Sequence, residues 1–216
     1  MSPAPGGAAA RGAGAAGEMP TLLFRTMGEW ERWLSRHGEA AGVWMRIAKK
    51  AAALDSISYA EALDVALRHG WIDGQKKRGD DESFLQKFTP RGARSVWSKV
   101  NREKAERFMA DGSMKAAGLR SVEQARANGQ WDRAYDSHSR ATVPDDLQVA
   151  LARNRKAREF FATLSSTNRY AILWRLQTAV RAETRARRLE QFVAMLVRGE
   201  TLHPEPARGK RAKRGG

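Results

Sequence analysis

The sequence contains no cysteine, which excludes disulfides, thiolate metal ligands and cysteine nucleophiles in one step. Histidine is scarce as well. His37, His69, His138 and His203 each stand without a second histidine at i+3 or i+4, so a histidine metal site is not expected. His69, beside Gly70, reads instead as a group favoured at a helix C-terminus. No G-x-x-x-x-G-K-[ST] or G-x-S-x-G segment occurs, which leaves P-loop nucleotide chemistry and the hydrolase nucleophile elbow without support. The stretch G-A-G-A-A-G at 12–17 fits the dinucleotide fingerprint in letters, yet no strand precedes it and its surroundings are low-complexity alanine and glycine. No cofactor is therefore expected. No apolar run is long enough for a transmembrane helix, and the first residues lack both a basic n-region and a leucine-rich h-region. With the missing cysteines, this gives the expectation of a cytoplasmic protein.

Acidic residues are outnumbered, 24 Asp and Glu against 39 Lys and Arg, for a formal net charge of +15. A field of that sign attracts phosphates, acidic lipids and nucleic acid. Part of the charge lies in R-G-K-R-A-K-R after Pro206, so nucleic acid is a possible partner of the basic surface and the C-terminal tail. In the body, Arg181, Arg185 and Arg188 are spaced i, i+4, i+7 and would share one helix stripe, a candidate phosphate or nucleic-acid contact. A solvated arginine face explains the same spacing.

The pattern along the chain predicts an α+β fold: a small antiparallel sheet with packed helices in the N-terminal half, then a helical C-terminal bundle. Residues 21–25 make a short strand. Thr26 and Glu29 form a capping box ahead of Trp30, Trp33, Leu34 and His37, and Gly38 ends that helix. A second strand alternates Val43, Met45 and Ile47 against Trp44, Arg46 and Ala48. Ser58 and Glu61 cap a helix that ends at Gly70. Residues 71–77 and 83–89 follow as strands joined by R-G-D-D-E. From Ser98 the period becomes 3.6, with one helix to Gly112, another over 121–129, and a run opened by Pro144, Asp145 and Asp146 that breaks into short helices to Val197. The predicted divisions are an Ala/Gly-rich disordered tail at 1–19, an α+β domain at 20–115, a helical connector at 116–140, a helical domain at 141–200 and a basic disordered tail at 201–216.

One stretch carries chemistry. Between Gly70 and Asn101, Trp71, Phe84, Phe88 and Trp97 interleave with Asp73, Gln75, Lys76, Arg91 and Asn101. If the two strands pair, Arg91 leaves the hairpin at the end where Asp73 lies, Trp97 closes a wall, and Asn101, four residues on, faces the same way. One carboxylate among several cations would suit a small anionic or zwitterionic ligand, with Arg91 as the bidentate partner and Lys76 as a point charge. An Asp73 ion pair with Lys76, Arg91 or Arg94 that merely braces the sheet explains the same residues. No catalytic residue is assigned.

G-V-W-M-R-I-A-K-K, Y-A-E-A-L-D-V-A-L-R-H-G-W-I-D-G-Q-K, L-Q-K-F-T-P-R, S-V-W-S-K-V-N and V-P-D-D-L resemble the YdeI/OmpD-associated proteins. So do L-S-S-T-N-R-Y-A-I-L, E-T-R-A-R-R-L and F-V-A-M-L, which look like that family's C-terminal helical domain, the resemblance running over about residues 20–200. It implies a bacterial protein linked by name (OmdA) to bacteriocin protection and an outer-membrane porin, with a role in stress or antimicrobial-peptide tolerance. The family is also described as periplasmic, which the absent export signal opposes. Three readings follow: a non-enzymatic binding protein for a small anionic ligand or a protein partner, a nucleic-acid or phosphate binder, and an enzyme of unknown reaction centred on Asp73, Lys76 and Arg91.

Overall fold

The computed structural model describes residues 19–204 and divides into two compact units. The tails expected from composition lie outside the described residues over 1–18 and 205–216. Among the described residues, the first unit takes those up to Ser95 together with Glu103–Asn128; the second takes Val96–Arg102 and those from Gly129. The division is interleaved because Ser98 bridges to Tyr135, with the Lys99 N–H donating to the Tyr135 carbonyl at 2.8 Å and the Tyr135 N–H to that of Trp97 at 2.9 Å.

In the first unit, Thr26 caps helix α1 (Met27–Arg36) by accepting from the Glu29 N–H, while Glu29 reaches back to the Arg25 N–H at 2.8 Å. Ser58 and Glu61 form a full capping box on helix α2 (Tyr59–Arg68). Strands β1 (Thr21–Leu23), β2 (Val43–Ala48), β3 (Trp71–Arg78) and β4 (Ser83–Pro90) make a four-stranded sheet in the order β1-β2-β4-β3. The sheet is mixed: β2, β4 and β3 are antiparallel, whereas β1 runs parallel to β2. A parallel neighbour needs a crossover connection, and α1 supplies it.

The alternation in β2 buries Val43, Met45 and Ile47. Register puts Val43 opposite Phe88 and Asp73 opposite Phe88 in turn, so these side chains share the helix-covered face. Trp30 is fully buried there among Phe24, Trp71 and Phe88, and its indole N–H donates to the Ala62 carbonyl at 3.0 Å. Burying a ring such as Phe88 contributes roughly 2–3 kcal/mol, so this aromatic cluster anchors the unit. Helix α3 (Lys99–Ala110) leads to α4 (Ala116–Ala127), which begins earlier than the 121–129 helix expected from sequence. Its N-cap, Lys115, makes no side-chain cap bond, so the start carries no local signal.

The second unit holds α5 (Asp145–Ala152), α6 (Arg155–Thr163), α7 (Ser166–Gln177) and α8 (Ala182–Val197). Asn154 and Ser165 cap α6 and α7 through their side chains. Leu147, Leu151, Phe161, Ile172, Leu176, Phe192 and Leu196 form its buried core. The α+β expectation, with strands first and packed helices after, is what the structure shows. No helix among the described residues is long and apolar enough to cross a membrane.

Candidate functional site

Two glycines bring α4 against the end of α2. Gly70 has φ +74, and a Cβ there would meet the Ala117 carbonyl oxygen at 2.6 Å; a Cβ on Gly118 would collide with the Arg68 carbonyl oxygen. The Lys115 N–H donates to that Arg68 carbonyl at 3.0 Å, and the Arg91 N–H to the Gly70 carbonyl at 2.9 Å. These contacts leave an open cleft of about 610 Å³ within the first unit, a volume suited to a small-molecule ligand.

The cleft is built from the loop after α1, the C-cap of α2, the adjoining ends of β3 and β4, and one face of α4. Ala117, Arg120, Ser121, Gln124 and Ala127 follow the spacing i, i+3, i+4, i+7, i+10, which places them on that single face. Arg91 and Arg120 supply positive charge, Glu39 and Glu123 negative charge, and His69 and Trp71 the wall between α2 and the sheet. His69 is buried, its Nε2 3.6 Å from Glu31, whose carboxylate also holds Lys115 at 2.9 Å. Desolvation lowers the His69 pKa below its ordinary value against the opposing pull of Glu31. Burial thus favours the neutral imidazole at this wall, at the C-cap of α2 where the sequence suggested a group favoured at a helix C-terminus.

Of the residues singled out from sequence, Arg91 lines the cleft and Asp73 does not. The Asp73 carboxylate accepts a hydrogen bond from the Tyr59 hydroxyl at 2.7 Å, tying β3 to the first turn of α2. Gln75 lies exposed in a β-bulge between Asp73 and Lys76, where Gln86 Nε2 donates to the Gly74 and Gln75 carbonyls. The Lys76 ammonium sits 3.9 Å above the Phe84 ring. Trp97 and Asn101 belong to the second unit. There Trp97 is buried edge-on to Trp131, with ring centroids 4.9 Å apart, and the Asn101 N–H donates to the Ser98 hydroxyl at the start of α3. In the arginine stripe, Arg185 makes a bidentate pair with Asp146 and also donates to the Leu176 carbonyl, while Arg188 donates to the Arg175 carbonyl. Arg181 is the exposed N-cap residue of α8.

Glu39, His69, Arg120, Ser121 and Gln124 were not singled out from sequence as site residues. The α4 face is small and polar and reads as a solvated surface; only its 3–4 spacing opposite the Gly70 and Gly118 approach marks it.

The fold is an α+β unit that carries this cleft and a helical bundle. Residues 140–199, a minor part of the chain, match the family described as Bacteriocin-protection, YdeI or OmpD-Associated. Residues 22–121, which contain the sheet and the cleft, match a domain of unknown function, DUF8412. No curated protein and no solved structure matches the chain.

Proposed function

We propose that this is a non-enzymatic binding protein of the YdeI/OmpD-associated type, whose first unit holds a small anionic or zwitterionic ligand in the cleft above Gly70. The observation that carries the reading is the convergence of Arg91 and Arg120 with Glu39, Glu123 and a neutral His69 around one concavity of ligand size. Arg91 engages a carboxylate or phosphate through its planar fork, and the opposing glutamates select a ligand that also carries a positive group. The tolerance role against stress or antimicrobial peptides attaches to the family description of the C-terminal domain, and the cysteine-free composition fits a cytoplasmic setting.

The test is thermal denaturation of the full chain with a panel of amino acids, dicarboxylates and phosphorylated metabolites. A binder from this panel raises the Tm; Arg91→Ala and Arg120→Ala each weaken its affinity by about tenfold or more while leaving the unliganded Tm within a few degrees. A panel without any shift, or a shift that both variants retain, removes the cleft as the site. For the tolerance role, cells deleted for this chain should become more sensitive to cationic antimicrobial peptides, and unchanged sensitivity excludes it.

A further inference from the structure

The sheet has a second face, and its residues differ in kind from those under the helices. Cross-strand register places Trp44 opposite Lys87 and both Arg46 and Lys77 opposite Leu85, all on the side away from Trp30 and the buried Val43, Met45 and Ile47. Trp44, Leu85 and Lys87 are half-buried there, and Lys77 is exposed with its ammonium 4.1 Å from the centroid of the Trp44 ring. The four strands contain a single acidic residue, Asp73, and it belongs to the opposite face, opposite Phe88 and bonded to Tyr59. The outward face thus sets the Trp44 ring and Leu85 among cations, and its strands add no carboxylate there.

We infer that this face binds single-stranded nucleic acid, with the Lys77 ammonium swinging from over the Trp44 ring to a flanking phosphate so that a base takes its place on that ring, and with Lys87 on the neighbouring phosphate. Base–aromatic stacking beside a cationic track is the common chemistry of sequence-tolerant single-strand recognition. Arg46 is held at the hairpin end by Asp80 and Ser83, which fixes it as a rim group and leaves Lys77 and Lys87 to track the backbone. An anionic membrane would require apolar groups that protrude, yet among the described residues the large exposed hydrophobics, such as Leu119, Val149 and Val180, are not on this sheet. The net charge of +15 favours encounter with a polyanion. None of the cleft residues takes part, so this inference stands or falls apart from the cleft.

The experiment is fluorescence anisotropy of a labelled single-stranded oligonucleotide with the full chain across about 50 to 200 mM salt. The basic C-terminal tail is present in every variant and contributes a constant background. Lys77→Gln combined with Lys87→Gln should weaken binding about tenfold and flatten the slope of log K against log salt by about 1.4, some 0.7 for each phosphate no longer neutralised. Trp44→Leu should weaken binding by about tenfold, and Trp44→Phe should retain most of the affinity because it keeps a ring. If Trp44→Leu does not fold, the lysine pair and Trp44→Phe decide. Full-strength binding by the lysine variant at an unchanged salt slope overturns the proposal. So does binding to anionic phosphatidylserine vesicles that the lysine variant weakens, when the oligonucleotide itself is not bound.

Discussion

His69 shows how one residue reports on its surroundings. Its Nε2 lies 3.6 Å from a Glu31 oxygen, too far for a hydrogen bond, so the carboxylate compensates its burial only in part. Lys115 and Arg68 add like-sign repulsion to the charged form, and the folded pKa falls below the ordinary 6.5. The folded chain therefore binds fewer protons here than the unfolded one. The contribution of neutral His69 is fully present above about pH 6.5 and is lost as pH falls through the lowered folded value. Glu31 does not confuse this window: its own pKa is held below 4.5, first by Lys115, so its contribution declines only at more acid pH. Urea midpoints should accordingly fall between about pH 7 and pH 5.5, and His69→Asn should flatten the dependence. An equally steep fall in the variant would assign the effect to another group.

At the scale of elements, local signals were legible and contact-driven ones were not. Thr26 with Glu29 and Ser58 with Glu61 announce α1 and α2 because a cap needs only residues three apart. The R-G-D-D-E turn is equally local: Asp80 Oδ1 accepts first from the Ser83 hydroxyl and then from the Ser83 and Glu82 N–H groups, and together with Arg46 these donors pull its pKa down to about 2. The start of α4 depends instead on Gly118 fitting under the Arg68 carbonyl, two residues far apart in the chain. The same separation hides the cleft. Arg91, a candidate from sequence, does line the cleft, but its companions on α4 become neighbours only through that fit, and a tryptophan such as Trp97 reads alike whether it walls a pocket or fills a core. Gly118→Ala separates the two influences. Helix propensity alone predicts stabilisation by about 1 kcal/mol; a Cβ driven into the Arg68 carbonyl oxygen and Met114 Sδ predicts a net destabilisation of about 1–3 kcal/mol. Urea denaturation that shows a gain would mean α4 can shift without cost.

At the scale of the whole molecule, the two units differ in how far each is closed on itself in sequence. The first is assembled from separated segments, with α4 returning to α2, whereas the bundle core from Leu147 to Leu196 is continuous. That core does not stop where the helical domain expected at 141–200 or the family match ends. Asn168, almost fully buried on α7, donates to the His203 carbonyl at 3.0 Å and accepts from the His203 N–H at 2.9 Å, and Leu202 packs on the core. Residues 201–204 are thus part of the bundle, although composition alone assigns them to a basic tail. A unit of this size is marginally stable, so such ties decide whether it folds alone. A fragment of residues 140–204 should melt cooperatively by circular dichroism. Ending it at 199 removes both Asn168 hydrogen bonds and the packing of Leu202, which destabilises by about 2–3 kcal/mol and lowers the Tm by on the order of 10 °C or abolishes the transition. Asn168→Leu in the longer fragment should be less stable than the parent, because the His203 backbone groups then lack the partner that holds them. Equal melting of the two fragments would show that the bundle is complete at residue 199 and that the His203 strap contributes nothing to its stability.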